Sequence, residues 1–304
     1  MGKTPQRGEI GAILARRRVC TQPAVAVVTA AFGRNVERCL ERVERIVDRC
    51  RARGAELVVF PEAALGGYIY EPLLPSPRLS IPGPPALRPD GPELERLRRV
   101  AGPTVVCLGY TEAGERGPHS SAVCLSGDGV LGHHRKVHLP PAEHGAFVPG
   151  EGFAAFDTPV GRMGMLICYD KVFPESARRL SLDGAGIVAS LAAWPVSRSG
   201  PAALTRRDRQ VRQFNLLDQA RALENQVVWL SANHCGGFGR LRFPGQAKVV
   251  DPNGRVLAAT GTRAGVAVAR IDATRAVTAA RGELSHLGDR RPRAYGLRGA
   301  RVAI

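Results

Sequence analysis

Apolar residues recur with helical spacing in the segment that follows Asn35. They stand three or four positions apart, as expected for one face of an α-helix. These positions are Val36, Cys39, Leu40, Val43, Val47 and Cys50. Asn35 is a favourable helix N-cap and Gly54 can end the helix, so the pattern predicts an amphipathic helix between them. Similar patterns predict helices at residues 92–101, 174–185 and about 206–225.

Short apolar runs between these helices are typical of buried strands. The runs cover residues 24–30, 55–60, 104–110, 161–168, 186–194, 227–233 and 265–272. Glycine-containing turns at residues 127–129 and 251–254 predict two hairpins. Strands thus alternate with helices early in the chain and with hairpins later, which predicts an α/β fold with a mixed sheet.

The chain has no internal repeat and no linker that would divide it, so we expect one domain at residues 23–274. Residues 1–22 are predicted to form an N-terminal extension. The Arg-rich residues 275–304 are predicted to form a C-terminal tail with little pattern, at an oligomer interface. A dense run of prolines at residues 71–92 predicts an irregular loop.

The net charge of +16 raises the possibility of nucleic-acid binding. Of the 43 basic residues, however, only those at positions 3, 136, 171 and 248 are lysine. So strong an arginine bias is typical of a GC-rich genome that places Arg wherever a surface cation is tolerated. Aromatic residues, 5% of the chain, do not interleave with the arginines as base-stacking platforms would. Nucleic acid is therefore not an expected partner.

The seven cysteines are widely spaced and contain no C-x-x-C pair, so neither a zinc site nor a disulfide framework is indicated. The histidines at 133, 134, 138 and 144 lack an acidic partner at helical spacing, and no metal site is expected there. No apolar run reaches the roughly 18 residues of a membrane helix, and the N-terminus lacks the order of a signal peptide. We expect a cytoplasmic protein with reduced thiols and no membrane association.

Three predicted strands end on residues that could take part in catalysis. Glu62 follows the strand at 55–60, Lys136 follows the second strand of the first hairpin, and Cys168 ends the strand "GRMGMLIC". Strand ends converge on the crevice where α/β proteins bind ligands. A thiol nucleophile needs a base, which a carboxylate can supply, and its oxyanion intermediate needs a positive charge. The three residues together meet these needs.

Each of the three residues also has an ordinary interpretation. Cys168 could be a small core residue, Glu62 a helix-capping carboxylate and Lys136 a surface charge. The composition argues against the last, because Lys136 stands beside Arg135 in a chain that nearly always uses arginine. A compact ammonium rather than a planar guanidinium is indicated at that position.

The segments around these residues resemble motifs of the nitrilase superfamily of carbon–nitrogen hydrolases. "GAELVVFPEAALGGY" is similar to its glutamate motif, "HRKVHLP" to its lysine motif and "GRMGMLICYDKVFPE" to its cysteine motif. The later segments "ARALENQVVWLSANHCG" and "GQAKVVDPNGRVLA" are also similar to the family. The resemblance covers residues 24 to 271, and it implies a four-layer αββα sandwich.

The resemblance implies Glu62 as general base, Lys136 as oxyanion stabiliser and Cys168 as nucleophile. It also implies that Glu143, in "EHGAFVPG", is the second glutamate of the family. In our mechanism the backbone N–H of Tyr169 is a further oxyanion donor, and neither a metal nor an organic cofactor takes part. The family further implies a homodimer or higher homo-oligomer that pairs across the helix after the cysteine.

The expected activity is hydrolysis of a small aliphatic or ω-amide to a carboxylate and ammonia. True nitrilases tend to carry Trp-Glu after the cysteine, whereas Cys168 is followed by Tyr169-Asp170, which favours the amidase-like branch. Tyr68 and Trp194 are candidates for lining the pocket. The first strand ends without the glutamine of many members, and the segment between Trp194 and "ARALENQ" is longer than in compact ones, so both regions shape the substrate pocket.

Other functions stay open on the sequence alone. An N-carbamoyl amide hydrolase of the same family would use the same residues. A catalytically inactive member that binds a small ligand, or a nucleic-acid-binding protein, would use none of them for chemistry. An acyltransferase of the superfamily would need membrane helices, which this chain lacks.

Overall fold

A computed structural model of the chain describes residues 22–69 and 83–296. The helices in these ranges are α1 (Val36–Arg51), α2 (Pro92–Ala101), α3 (Pro174–Leu182), α4 (Arg209–Asn225) and α5 (Ala273–Glu283). The first strands are β1 (Ala24–Ala30), β2 (Ala55–Val59), β3 (Val105–Glu112), β4 (His119–Ser126) and β5 (Gly129–Arg135). The next are β6 (Phe156–Thr158), β7 (Gly161–Ile167), β8 (Ile187–Ala192) and β9 (Val228–Phe238). The last are β10 (Leu241–Pro244), β11 (Lys248–Val250), β12 (Val256–Ala259) and β13 (Gly265–Arg270).

The strands of the described chain follow one continuous path, in the order β5-β4-β3-β2-β1-β9-β8-β7-β6. Strands β1 to β3 are parallel, as are β7 to β9, whereas β4 and β5 form an antiparallel hairpin. Only Thr29 and Ala30 of β1 pair with β9. The path therefore divides at this narrow junction into two half-sheets, with β13 added beside β1 and β11 beside β9.

The buried apolar residues form layers that match these half-sheets. One cluster joins alternate residues of β1 to β4, such as Val27 and Val59, to residues of β7 to β9, such as Met165 and Leu230. The opposite faces pack against helices, β1 to β4 against α1 and α2, and β7 to β9 against α3 and α4. Because side chains alternate across a strand, each half-sheet is buried on both faces. The predicted four-layer αββα sandwich is confirmed.

Helix α1 has the N-cap and the buried apolar face that its sequence predicts. The Asn35 side chain accepts the Arg38 N–H at the N-cap, and Cys39, Leu40, Val43, Val47 and Cys50 are buried. The helix ends before Gly54, whose φ of 77° is a left-handed conformation suited to glycine. The prediction for this segment is confirmed.

The segment after residue 272 differs from the prediction of a tail with little pattern. It forms α5, which the Asp272 side chain caps by accepting the Arg275 N–H. Only Val277 and Ala280 of α5 are buried, so its apolar stripe is too narrow to show as helical periodicity. The helix is held instead by Gln226, whose side-chain amide donates to the Ala280 carbonyl at 2.9 Å.

Three predictions fall on residues outside the described chain. They are the extension before residue 22, most of the proline-rich loop and the last residues of the tail. Among the helices that the structure describes, none has the length and hydropathy needed to cross a membrane. The boundaries assigned to the domain stay a prediction.

Candidate active site

Glu62 lies in the turn that follows β2, against the middle of β3. The Gly109 N–H donates to the Pro61 carbonyl at 3.2 Å, and the Leu65 N–H donates to the Gly109 carbonyl at the same distance. A Cβ at position 109 would come within 2.6 Å of the Glu62 Cα, so glycine is needed for this close approach. The Glu62 backbone is also fixed by His234, whose ring donates to the Glu62 carbonyl at 2.6 Å.

The Glu62 carboxylate, which is 1% exposed, is held by three donors. Its Oε1 accepts from Lys136 Nζ at 2.8 Å and from Ser120 Oγ at 3.3 Å. Its Oε2 accepts from the Ala193 N–H at 2.9 Å, where the chain leaves β8. The two half-sheets are therefore joined at this carboxylate.

Lys136 stands directly after β5 and is fully buried. Its backbone continues the ladder, because the Lys136 N–H donates to the Ser120 carbonyl at 2.8 Å. Its ammonium also donates to Glu143 Oε1 at 2.6 Å. Glu143 ends a short 3-10 turn, Pro141–Glu143, and is likewise fully buried. The hydroxyl of Tyr68 donates to the same oxygen, whereas Glu143 Oε2 has no partner among the described residues.

Cys168 comes after β7 at the start of a 3-10 turn, Cys168–Val172. Its φ of 47° lies in the left-handed region, which is uncommon for a residue with a side chain. Such strained turns between a strand and a helix project a nucleophile out of the sheet. The Cys168 side chain lines a cavity although the residue is only 6% exposed.

The charges around Cys168 act on its thiol in opposite directions. Burial raises the pKa of Cys168 and the carboxylate of Glu62 raises it further, while the ammonium of Lys136 opposes both. The thiol is therefore protonated at neutral pH and needs a base. Burial disfavours the charge on Lys136, but Glu62 and Glu143 outweigh it and hold the pKa of Lys136 above its ordinary value. Burial also raises the pKa of Glu143, against the opposing charge of Lys136.

The cavity beside Cys168 has a volume of about 400 Å³. Tyr68, Tyr169 and Trp194, all singled out from the sequence, line it together with Cys168. Trp194 is fixed by its indole N–H, which donates to the Gln210 carbonyl at 3.0 Å, and by its backbone N–H, which donates to the Asn233 side chain at 2.8 Å. The structure thus brings all seven sequence-predicted residues to one region of the molecule.

Asp170 connects the turn of Cys168 to the segment of Lys136. This buried carboxylate accepts from the Ile167 N–H at 3.1 Å and from the His134 ring at 3.0 Å. It also accepts from the backbone N–H and the ring of His138, both at 2.9 Å. Since His134 and His138 lie two residues on either side of Lys136, Asp170 fixes the separation between the lysine and the cysteine.

A second group of buried charges lies behind the cavity wall. Lys171 and Lys248 donate to the two carboxylate oxygens of Asp218 at 2.8 Å and 2.6 Å, and all three side chains are buried. The Trp229 indole N–H donates to the same carboxylate at 2.9 Å. The Lys171 ammonium is 3.3 Å from the ring centroid of Phe214 and 5.2 Å from that of Trp194.

A family model for carbon–nitrogen hydrolases matches residues 20–281. The chain belongs to this family. A nitrilase of Pyrococcus abyssi is 33% identical over 76% of this chain and 82% of its own length. An (R)-stereoselective amidase of a Pseudomonas species is 32% identical over 83% of this chain and 85% of its own length.

Solved structures of the family also match this carbon–nitrogen hydrolase. A carbon–nitrogen hydrolase of Helicobacter pylori has the same fold, with a TM-score of 0.79, 23% identity and coverage of 91% of this chain and 97% of the other. A variant of a Nesterenkonia amidase of the nitrilase superfamily matches with a TM-score of 0.71 and 25% identity, over 92% of this chain and 98% of the other. The resemblance stated from the motifs is confirmed, and the enzyme is a carbon–nitrogen hydrolase.

Sequence reasoning missed the supporting residues of this hydrolase. Ser120, Asp170 and Asp218 were not predicted, because their partners Glu62, His134 and Lys171 lie between 36 and 58 positions away. The rarity of lysine was a usable signal, since Lys136, Lys171 and Lys248 are all buried.

Proposed function

We propose that this carbon–nitrogen hydrolase cleaves small amides to a carboxylate and ammonia through a thioester on Cys168. The observation that carries the proposal is the arrangement of three groups beside one cavity. Cys168 lines the cavity, and the charges of Glu62 and Lys136 both act on its thiol. A nucleophile, a base and a fixed positive charge at one site are what acyl transfer requires.

In the acylation step, Glu62 takes the thiol proton while the sulfur attacks the amide carbonyl carbon. The negative charge that develops on the carbonyl oxygen is stabilised by the ammonium of Lys136 and the backbone N–H of Tyr169. The C–N bond then breaks, and the nitrogen leaves as ammonia with the proton that Glu62 returns. The product is a thioester between Cys168 and the acyl group.

In the hydrolysis step, Glu62 takes a proton from a water molecule, which attacks the thioester carbonyl. The C–S bond breaks, the carboxylate product forms and the proton returns to the sulfur. Glu62 is suited to repeated proton transfer because Lys136, Ser120 and the Ala193 N–H hold its carboxylate in place. No step of this scheme uses a metal or an organic cofactor.

An amide substrate is favoured over a nitrile by the buried oxygen Glu143 Oε2, which has no partner among the described residues. A buried acceptor without a donor is costly, and the NH2 group of an amide supplies a donor. A nitrile has no N–H. The raised pKa of Glu143, caused mainly by burial, also makes this carboxylate a stronger acceptor. A related variant of the Nesterenkonia amidase has been solved in complex with butyramide.

The test is an ammonia-release screen over aliphatic amides, amino-acid amides, ω-amides and N-carbamoyl compounds, with a nitrile matched to the best amide. We expect release from at least one simple amide and slower turnover of the nitrile with the same acyl group. Faster turnover of the nitrile would contradict the amide assignment. Turnover of N-carbamoyl compounds alone would favour the alternative hydrolase, and no turnover of any compound would favour a ligand-binding protein.

We further propose that the enzyme is a homodimer that pairs through α3 and the adjacent α4. Two large apolar side chains of α4 are exposed, Leu216 at 68% and Leu223 at 45%, and burial in an interface would remove them from water. Sedimentation should give a dimer or larger species, and a stable monomer at micromolar concentration would contradict this.

A further inference from the structure

The outer part of the cavity is built by the long segment between β8 and α4. Asp208, which is 1% exposed, closes this segment by accepting from the backbone N–H of Ser197 at 3.0 Å and from its hydroxyl at 3.1 Å. Arg198 directly follows Ser197, and Arg209 directly follows Asp208. The bond between Ser197 and Asp208 therefore brings the two arginines near each other, and both line the cavity. Both are exposed, whereas Cys168 is buried, so the arginines lie at the mouth and the thiol at the inner end.

The charge of Arg209 is not neutralised by the carboxylate next to it in the chain. Asp208 is already engaged with Ser197 and with the backbone N–H groups of Gln210 and Val211. Arg209 makes no hydrogen bond or ion pair with another described residue. The described residues that line the cavity include no acidic side chain.

The remaining lining of the cavity is mainly apolar. It includes Pro140, Trp194, Val196 and Leu241. A ligand that matches the whole cavity has a reactive amide at one end, a short apolar middle and an anionic group at the other. A guanidinium pairs with a carboxylate through two parallel hydrogen bonds, which suits it to recognise such a group.

We propose that Arg209 binds a carboxylate of the substrate, so that the preferred substrates are small amides whose acyl chain ends in a carboxylate. This inference rests on the proposed amidase function and specifies its substrate class. It also gives a role to the long segment between β8 and α4, since that segment positions the arginine at the mouth.

The test compares three amides of equal length, which end in a carboxylate, a methyl group or an ammonium. For the unaltered enzyme we expect kcat/KM to fall in that order, with the carboxylate at least about tenfold above the methyl compound, as one charge-assisted hydrogen bond would give. Equal values for the carboxylate and methyl compounds would overturn the inference. The absence of ammonia from all three would instead count against the proposed function.

Variants at Arg209 test the residue itself. In R209Q the preference for the carboxylate over the methyl compound should fall about tenfold, mainly through KM, and in R209E it should reverse toward the ammonium compound. R212Q is the matched control, because Arg212 is exposed on the same helix but does not line this cavity. A preference that is unchanged in R209E, or that falls equally in R212Q, would overturn the assignment.

Discussion

Two buried centres of this hydrolase contain lysine, and they have opposite charge. In the first, Lys136 lies between Glu62 and Glu143, so one ammonium forms ion pairs with two carboxylates. In the second, Asp218 lies between Lys171 and Lys248, so one carboxylate forms ion pairs with two ammonium groups. Both centres are almost fully buried, and both bring together strands and turns that are distant in the sequence.

The two centres differ in whether their carboxylate oxygens all have hydrogen-bond partners. Both oxygens of Asp218 have partners, and the aromatic ring of Phe214 lies beside both lysines. In the first centre, Glu143 Oε2 has no partner among the described residues, and the Cys168 thiol borders an open cavity. We infer from this comparison that the first centre receives the substrate, whereas the second holds α4 and the cavity wall in place.

The largest expected effect is at Cys168. C168A should lower amide turnover by about 10⁴-fold or more, because the nucleophile is lost, while the fold is kept since the deleted group is small. C235A is the matched control, as Cys235 is also 6% exposed but does not line the cavity. Ammonia release and circular dichroism would check both variants. Residual turnover above about a tenth in C168A would show that the thiol is not the nucleophile.

The next effect is at Lys136. K136A and K136R should both lower kcat by roughly 10²- to 10³-fold, because a planar guanidinium cannot place its charge where the ammonium donates to two carboxylates. Steady-state kinetics on the best amide would measure this. If K136R kept most of the activity, Lys136 would supply only general positive charge.

Substitutions in the second centre should lower the stability of the fold rather than act on the chemical step. D218N leaves two buried ammonium groups without a carboxylate, which should lower the free energy of unfolding by about 3 to 5 kcal/mol. Urea denaturation would measure it. D90N is the control, since Asp90 and Arg88 form an exposed pair, and no measurable change is expected there. A D218N variant with full stability but lost activity would reverse the roles of the two centres.

The smallest effect is a pH dependence that belongs to the second centre. Burial lowers the pKa of Lys171 from 10.5 to about 8, with Asp218 opposing and Lys248 adding to the decrease. Below pH 8 both folded and unfolded states hold the proton, and between pH 8 and 10.5 only the unfolded state does. The contribution of Lys171 to stability is therefore least favourable below pH 8 and improves toward pH 10.5, by at most about 3 kcal/mol.

The matched variant for this pH dependence is K171M, which lacks the titrating group. The difference in free energy of unfolding between the unaltered enzyme and K171M should shift in favour of the unaltered enzyme from pH 7.5 to pH 10. Urea denaturation at both values would measure the difference. A difference that is the same at both pH values would mean that Lys171 does not titrate in this range.

Glu62, Lys136 and Cys168 of the first centre could be predicted from the sequence because each follows a recognisable strand, whereas Glu143 ends a 3-10 turn and was predicted only from the family resemblance. Apolar runs before Glu62, Lys136 and Cys168 indicated where the strands end, and strand ends converge. Asp218 gave no such indication, since it lies within α4 and its partner Lys171 is 47 positions away. Helix α5 was missed because its apolar stripe is narrow, with only Val277 and Ala280 buried, and because Gln226 binds its backbone.

The central claim is that Cys168 is the nucleophile of the first centre, and alkylation tests it most directly. The enzyme would be treated with about one equivalent of iodoacetamide, itself a small amide, and the modified cysteine identified by peptide mass spectrometry alongside residual activity. We expect the loss of activity to follow the fraction of Cys168 that is modified. Full modification of Cys168 with activity retained, or loss of activity with Cys168 unmodified, would contradict the account.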